Sequence, residues 1–141
     1  TYASTLNYLG YMLADRGIRL EEAQRLIKQA VDLDPNNYAF LDSLGWVYYR
    51  LNRLPEAEHE LARSVQLWPK DPTIHDHLGD VYFKQGKIQQ AIWQWKSSLQ
   101  EMTKGTSVDV EPDEMAKVRK KLDTARVKLA KEQAPSVNKQ R

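Results

Sequence analysis

Three histidines and a pair of carboxylates are the side chains of this sequence best suited to chemistry, and their spacing limits what that chemistry is. His75 and His77 stand two apart. On a helix they point in different directions and do not form the i, i+4 pair that grips a metal ion. Asp76 and Asp80 do stand at i, i+4, but two carboxylates alone hold a divalent ion poorly. The expectation is instead a helix-surface pair between His77 and Asp80, with His75 in the core. The absence of cysteine removes disulfides, thiolate zinc sites and cysteine nucleophiles. No Gly-rich phosphate loop, serine elbow or HExxH motif occurs. These observations point away from an enzyme: no catalytic residue, metal site, cofactor or small-molecule substrate is expected.

The other candidates are aromatic and charged side chains, whose placement depends on the elements that carry them. Laid against itself, the sequence recurs at an offset of 34. Asn7-Tyr8-Leu9-Gly10, Asp42-Ser43-Leu44-Gly45 and Asp76-His77-Leu78-Gly79 align, as do Ala23, Ala57 and Ala91, then Pro35 and Pro69. Only the step from Gly10 to Gly45 is 35, which puts one extra residue within 17–20. Each unit holds two apolar patterns of helical period. In the middle one Leu41, Leu44, Gly45 and Tyr48 follow i, i+3, i+4, i+7, and Leu54, Ala57, Leu61, Ser64 and Val65 form the second. Gly17, Asn52 and Gly86 suit a left-handed helix end, and Pro35 and Pro69 close the second helices. A glycine inside a helix costs about 1 kcal/mol, so Gly10, Gly45 and Gly79 need a packing reason: a close crossing with a neighbouring helix.

Leu-Gly, an aromatic three residues on (Tyr48, Tyr82), a later Ala and a terminal Pro resemble the tetratricopeptide repeat signature over residues 3 to about 102. Leu6, Leu41 and His75 stand where the family usually has tryptophan, and Thr103 where the third closing proline belongs. The resemblance implies an all-α, right-handed α-solenoid of three helix-turn-helix units, 1–37, 38–71 and 72–102, followed by a linker at 103–111. LGYMLADRGIRLEEA and AFLDSLGWVYYRL are also similar to bacterial proteins with long arrays of this repeat, some of them cell-envelope adaptors. That likeness implies a bacterial cytoplasm or periplasmic envelope. Thr1 in place of a methionine is read as a piece of a longer chain. No stretch approaches the roughly 18 apolar residues a membrane helix needs, so no membrane insertion is expected.

Beyond the repeats, Pro112 starts a last helix over 112–133 with one apolar stripe of Met115, Val118, Leu122, Ala125 and Leu129. Its expected role is to cap the open end of the solenoid, and 134–141 reads as a disordered tail. Lys117, Lys120, Lys121, Lys128 and Lys131 cover its other faces, and residues after 102 carry the chain's basic excess. Contact with nucleic acid is one reading of that helix, but Asp113, Glu114, Asp123 and Glu132 dilute the charge and no aromatics are interleaved.

The stripe beside the packing face of each first helix runs Asn7, Tyr11, Ala14, then Asp42, Trp46, Tyr49, Arg50, then Asp76, His77, Asp80, Phe83, Lys84. The resemblance implies that it lines a concave groove that holds a peptide or partner segment, with Trp46 as anchor, although about half of such aromatics pack in the core. Chaperone-binding members hold a peptide's terminal carboxylate with basic and amide side chains at five places. Here these are Asn7, Tyr11, Ser43, Thr73 and His77, so the basic clamp is missing. Asp42, Asp76 and Asp80 favour a partner with basic and apolar residues instead. The function so implied is a protein-interaction scaffold or adaptor. The alternative is self-association into a homo-oligomer through the exposed terminal helix, with Tyr2 and Leu6 in the contact.

Overall fold

The computed structural model describes residues 1–104 and 112–135, and every regular element among them is a helix. Seven follow in order: α1 (Tyr2–Arg16), α2 (Leu20–Leu33), α3 (Tyr38–Arg50), α4 (Leu54–Leu67), α5 (Pro72–Lys84), α6 (Ile88–Lys104) and α7 (Pro112–Gln133). Among the described residues no helix is long and apolar enough to cross a membrane. α1, α3 and α5 each pair with the helix after them, and successive hairpins stack so that α1, α3 and α5 lie side by side.

The turns inside the hairpins are copies of one another. Gly17, Asn52 and Gly86 have φ of 70°, 61° and 82°, and the next amide donates back to the carbonyl five residues earlier: Ile18 to Leu13, Arg53 to Tyr48, Lys87 to Tyr82. This satisfies carbonyls that the helix end leaves orphaned. The extra residue of the first turn is absorbed by a second left-handed residue, Arg19 at φ 48°. The first helices start on side-chain caps: Thr1 accepts from the Ser4 amide, Asn37 from Ala39 and Phe40, and Asp71 from Thr73. Where proline should close the third unit, Thr103 lets α6 run on to 17 residues against 14 in α2 and α4. Thr103 and Lys104 therefore belong to α6 and not to a linker. Residues 105–111 and most of the expected tail lie outside the described residues.

The helix glycines are crossing points. A Cβ built on Gly10, Gly45 or Gly79 would sit 2.5 Å from Ile27 Cγ1, Leu61 Cγ or Trp95 Nε1 respectively. Ser64, counted in an apolar stripe by its spacing, and Ser98 are both wholly buried. Their hydroxyls donate to the carbonyls of Tyr38 and Pro72 at 2.7 and 2.8 Å, stitching each second helix to the start of the first. Leu6, Leu41 and His75 are buried in the place of the usual tryptophan. His75 Nε2 lies 2.7 Å from the Pro69 carbonyl, which only accepts, so this nitrogen carries the proton. At the far end Val118, Leu122 and Ala125 of α7 pack on Ile88, Ala91, Trp95 and Met102 of α6.

Candidate partner-binding groove

Side-by-side packing of α1, α3 and α5 brings most of the stripe together. At its centre three rings stack in a row: Tyr49 on Trp46 with centroids 5.0 Å apart, and Trp46 on His77 at 4.2 Å. Trp46, Tyr49 and Phe83 each lend one face to a core cluster and are only partly buried. Tyr11 is partly buried too, and its hydroxyl pKa is raised by burial, then by the carboxylates of Asp15 and Asp42. The Trp46 Nε1 and Asn7 Oδ1 atoms are enclosed and find no hydrogen-bond partner. Trp46 therefore turns its polar edge inward. Arg50 is exposed and lies over the first turn, its Nη2 against Gly17.

His77 does not pair with Asp80. It is buried, and its Nδ1 lies 2.8 Å from Asp42 Oδ1 on the neighbouring first helix. Burial alone lowers its pKa. The Asp42 carboxylate, through charge and hydrogen bond, and then the charges of Asp76 and Asp80 more than reverse this, leaving the value raised. A histidine pKa raised by folding adds stability that is fully present below the unfolded value and is lost as pH rises through the folded one. Urea midpoints of the native chain should thus fall between about pH 6.5, the ordinary histidine value, and the alkaline side. His77→Gln should remove that slope; a slope surviving in the variant assigns it elsewhere.

Asp76 and Asp80 share a cation from outside the repeats. Lys121 Nζ of α7 lies 2.9 Å from Asp76 Oδ1 and 2.9 Å from Asp80 Oδ1. Asp80 nevertheless keeps a raised pKa, from burial first and then Asp76, against the opposing charge of Lys121. Each of the three carboxylates of the stripe thus has a partner within the chain.

α7 also walls a cavity of about 570 Å³. Tyr49, Asp80, Phe83 and Lys84 of the predicted stripe line it, together with Trp95 of α6 and Lys117, Lys120, Lys121 and Thr124 of α7. The α7 contribution was missed from the sequence. Positions 117, 120, 121, 124 and 128 recur at helical spacing, but a lysine face reads as solvated unless something shows what it faces.

Stacked helix hairpins with an aromatic stripe along the first helices define a helical-repeat fold. Residues 12–72 and 44–102 match the tetratricopeptide repeat model, and the chain belongs to that family. It is 54% identical over 48 residues to the TPR repeat-containing protein PA4667 of Pseudomonas aeruginosa, a stretch covering 34% of this chain and 8% of that relative. Among solved structures it is similar to the Sgt2 TPR domain of Aspergillus fumigatus, with a TM-score of 0.79 at 17% identity, covering 96% of this chain and 87% of the other. The first TPR of Spaghetti (RPAP3), bound to an HSP90 peptide, gives 0.77 at 19%, covering 92% and 94%. The secretion chaperone SycD of Yersinia enterocolitica, in complex with a peptide of the translocator YopD, gives 0.73 at 16%, covering 89% and 92%. At these identities the likeness is one of fold.

Proposed function

We propose that the chain is a protein-interaction scaffold that binds a partner segment along the groove of Asn7, Tyr11, Asp42, Trp46, Tyr49, Arg50, Asp76, His77, Asp80, Phe83 and Lys84. The observation that carries this reading is the Tyr49–Trp46–His77 stack, incompletely covered and continuous with the cavity beside Phe83. Incompletely covered aromatic surface in a concavity is where binding energy concentrates. Two neighbours in fold hold peptides, according to their descriptions.

The test is a peptide selected from a random display library on the whole chain, then titrated against variants. Trp46→Ala should weaken it by about 2 kcal/mol, roughly thirtyfold, beyond what the loss of packing does to the melt. Tyr11→Phe serves as a fold-neutral control. A melt that drops while affinity holds would make Trp46 a core residue and sink the reading.

Self-association is the second reading, favoured by Tyr2 and Tyr8, 71% and 63% exposed on α1. Leu6 cannot share in it, because it is buried against Ala30 and Phe40. Sedimentation of the same samples separates the two, since a mass that rises with concentration and returns to monomer in Tyr2→Ser would favour assembly over peptide binding.

A further inference from the structure

The cavity between α5, α6 and α7 joins an aromatic lining to an unbalanced positive charge. Tyr49, Phe83 and Trp95 present ring surface to it. Lys121 is matched by Asp76 and Asp80, and Lys117 faces Glu114 at 3.5 Å. Lys84 and Lys120 also line it, and neither forms an ion pair among the described residues. The ammonium of Lys84 stands 5.0 Å from the Tyr49 ring centre, and that of Lys128, also without an ion pair among the described residues, 5.4 Å from Phe83. Cation-ring contacts of this kind hold the amines beside the lining, which lowers the ordering cost a ligand must overcome. Among the described residues the single carboxylate in the lining, Asp80, is already engaged.

We infer that this cavity receives a partner segment with an aspartate or glutamate next to an aromatic or large aliphatic side chain. The apolar side chain lies on the rings, and the carboxylate meets Lys84 and Lys120. An arriving ammonium would face like charges in a partly desolvated site, whereas a carboxylate gains there. A volume of about 570 Å³ falls inside the roughly 300 to 1,000 Å³ of ordinary ligand sites. The charge favours a peptide over a nucleic acid because four lysines converge on one cavity, while Asp113, Glu114, Asp123 and Glu132 interrupt any longer basic track along α7. The inference rests on the groove reading and specifies the chemistry of one end of it.

The experiment is an amide and indole NMR titration of the whole 141-residue chain with two blocked pentapeptides, one a phenylalanine flanked by glutamates, the other the same residue flanked by lysines. The glutamate peptide should shift Phe83, Lys120 and the Trp95 indole, bind more weakly as salt rises, and lose tenfold or more in affinity to Lys84→Glu/Lys120→Glu. Both substituted residues are exposed, so an unchanged circular dichroism melt certifies the variant. Equal or tighter binding of the lysine peptide overturns the proposal. So does a decathymidine strand that displaces the glutamate peptide, which would assign the lysines to phosphate. Shifts confined to Tyr11 and Trp46 overturn it as well, yet leave the groove reading standing, whereas silence everywhere removes both.

Discussion

Gly45→Leu should lower the melting temperature by about 10 °C, through roughly 3 kcal/mol of lost stability at the upper end of ordinary overpacking. A Cβ at this position already lies 2.5 Å from Leu61 Cγ and within 3.2 Å of both its methyls, and Leu61 is wholly buried with no room to retreat. The strain reaches two contacts at once, since α3 packs on α4 and also on the flanking units. Even Gly45→Ala should destabilise, and combining it with Leu61→Ala should cost less than the two changes added, because the second removes the atoms the first strikes. The comparison is Gly86→Ala, where nothing lies within 4 Å and only the φ of 82° opposes a side chain. Thermal melts of the five variants, Leu61→Ala alone included, decide it: if Gly45→Leu melts with the native chain, close approach is not why a glycine stands there.

Lys121→Met should cost about 2 kcal/mol at neutral pH, less than the 3 to 5 of breaking a fully buried pair, because the lysine side chain is 36% exposed and screened in part. It leaves Asp76 and Asp80 facing each other. The folded pKa of Asp80 is already raised, and without the lysine it must climb further. A carboxyl whose pKa is higher folded than unfolded binds its proton more readily in the folded state, so stability declines as pH rises between the two values. The deficit of the variant should therefore be small at pH 4.5 and grow toward pH 7.5, as measured by urea unfolding. A deficit equal at both would mean that the methionine disturbs packing and that the charges contribute little.

These two sites differ in how far the sequence announces them. Gly45 stands inside a periodic apolar pattern and has counterparts at Gly10 and Gly79, so self-comparison alone exposes the need for close packing. Repetition makes each unit a control for the others, and it found the hairpins, the left-handed turn residues and the aromatic stripe. Lys121 has no counterpart. It lies 45 residues from Asp76, on a helix outside the repeat, and an apolar stripe tells that a helix packs without telling which neighbouring surface its polar side meets. His77 shows the same limit on a smaller scale. Helix spacing proposes Asp80, on the same helix, whereas the true partner Asp42 is 35 residues back, roughly one repeat, on the adjoining first helix. The charge of the stripe shows the same limit: Asp42, Asp76 and Asp80 stand out in the sequence, whereas their partners His77 and Lys121 lie on other helices.

Among the described residues the hairpins pack chiefly on their neighbours, so resistance to local opening is set unit by unit and need not be uniform along the chain. At one end α1 leaves Tyr2, Tyr8 and Leu9 uncovered. At the other, α7 is seated on α6 by Val118 and Leu122 and tethered across to α5 by Lys121. The α7 end is thus braced twice, once by apolar packing on α6 and once by an ion pair reaching α5. A segment bound as proposed would meet, near Phe83, a wall already held in place before it arrives.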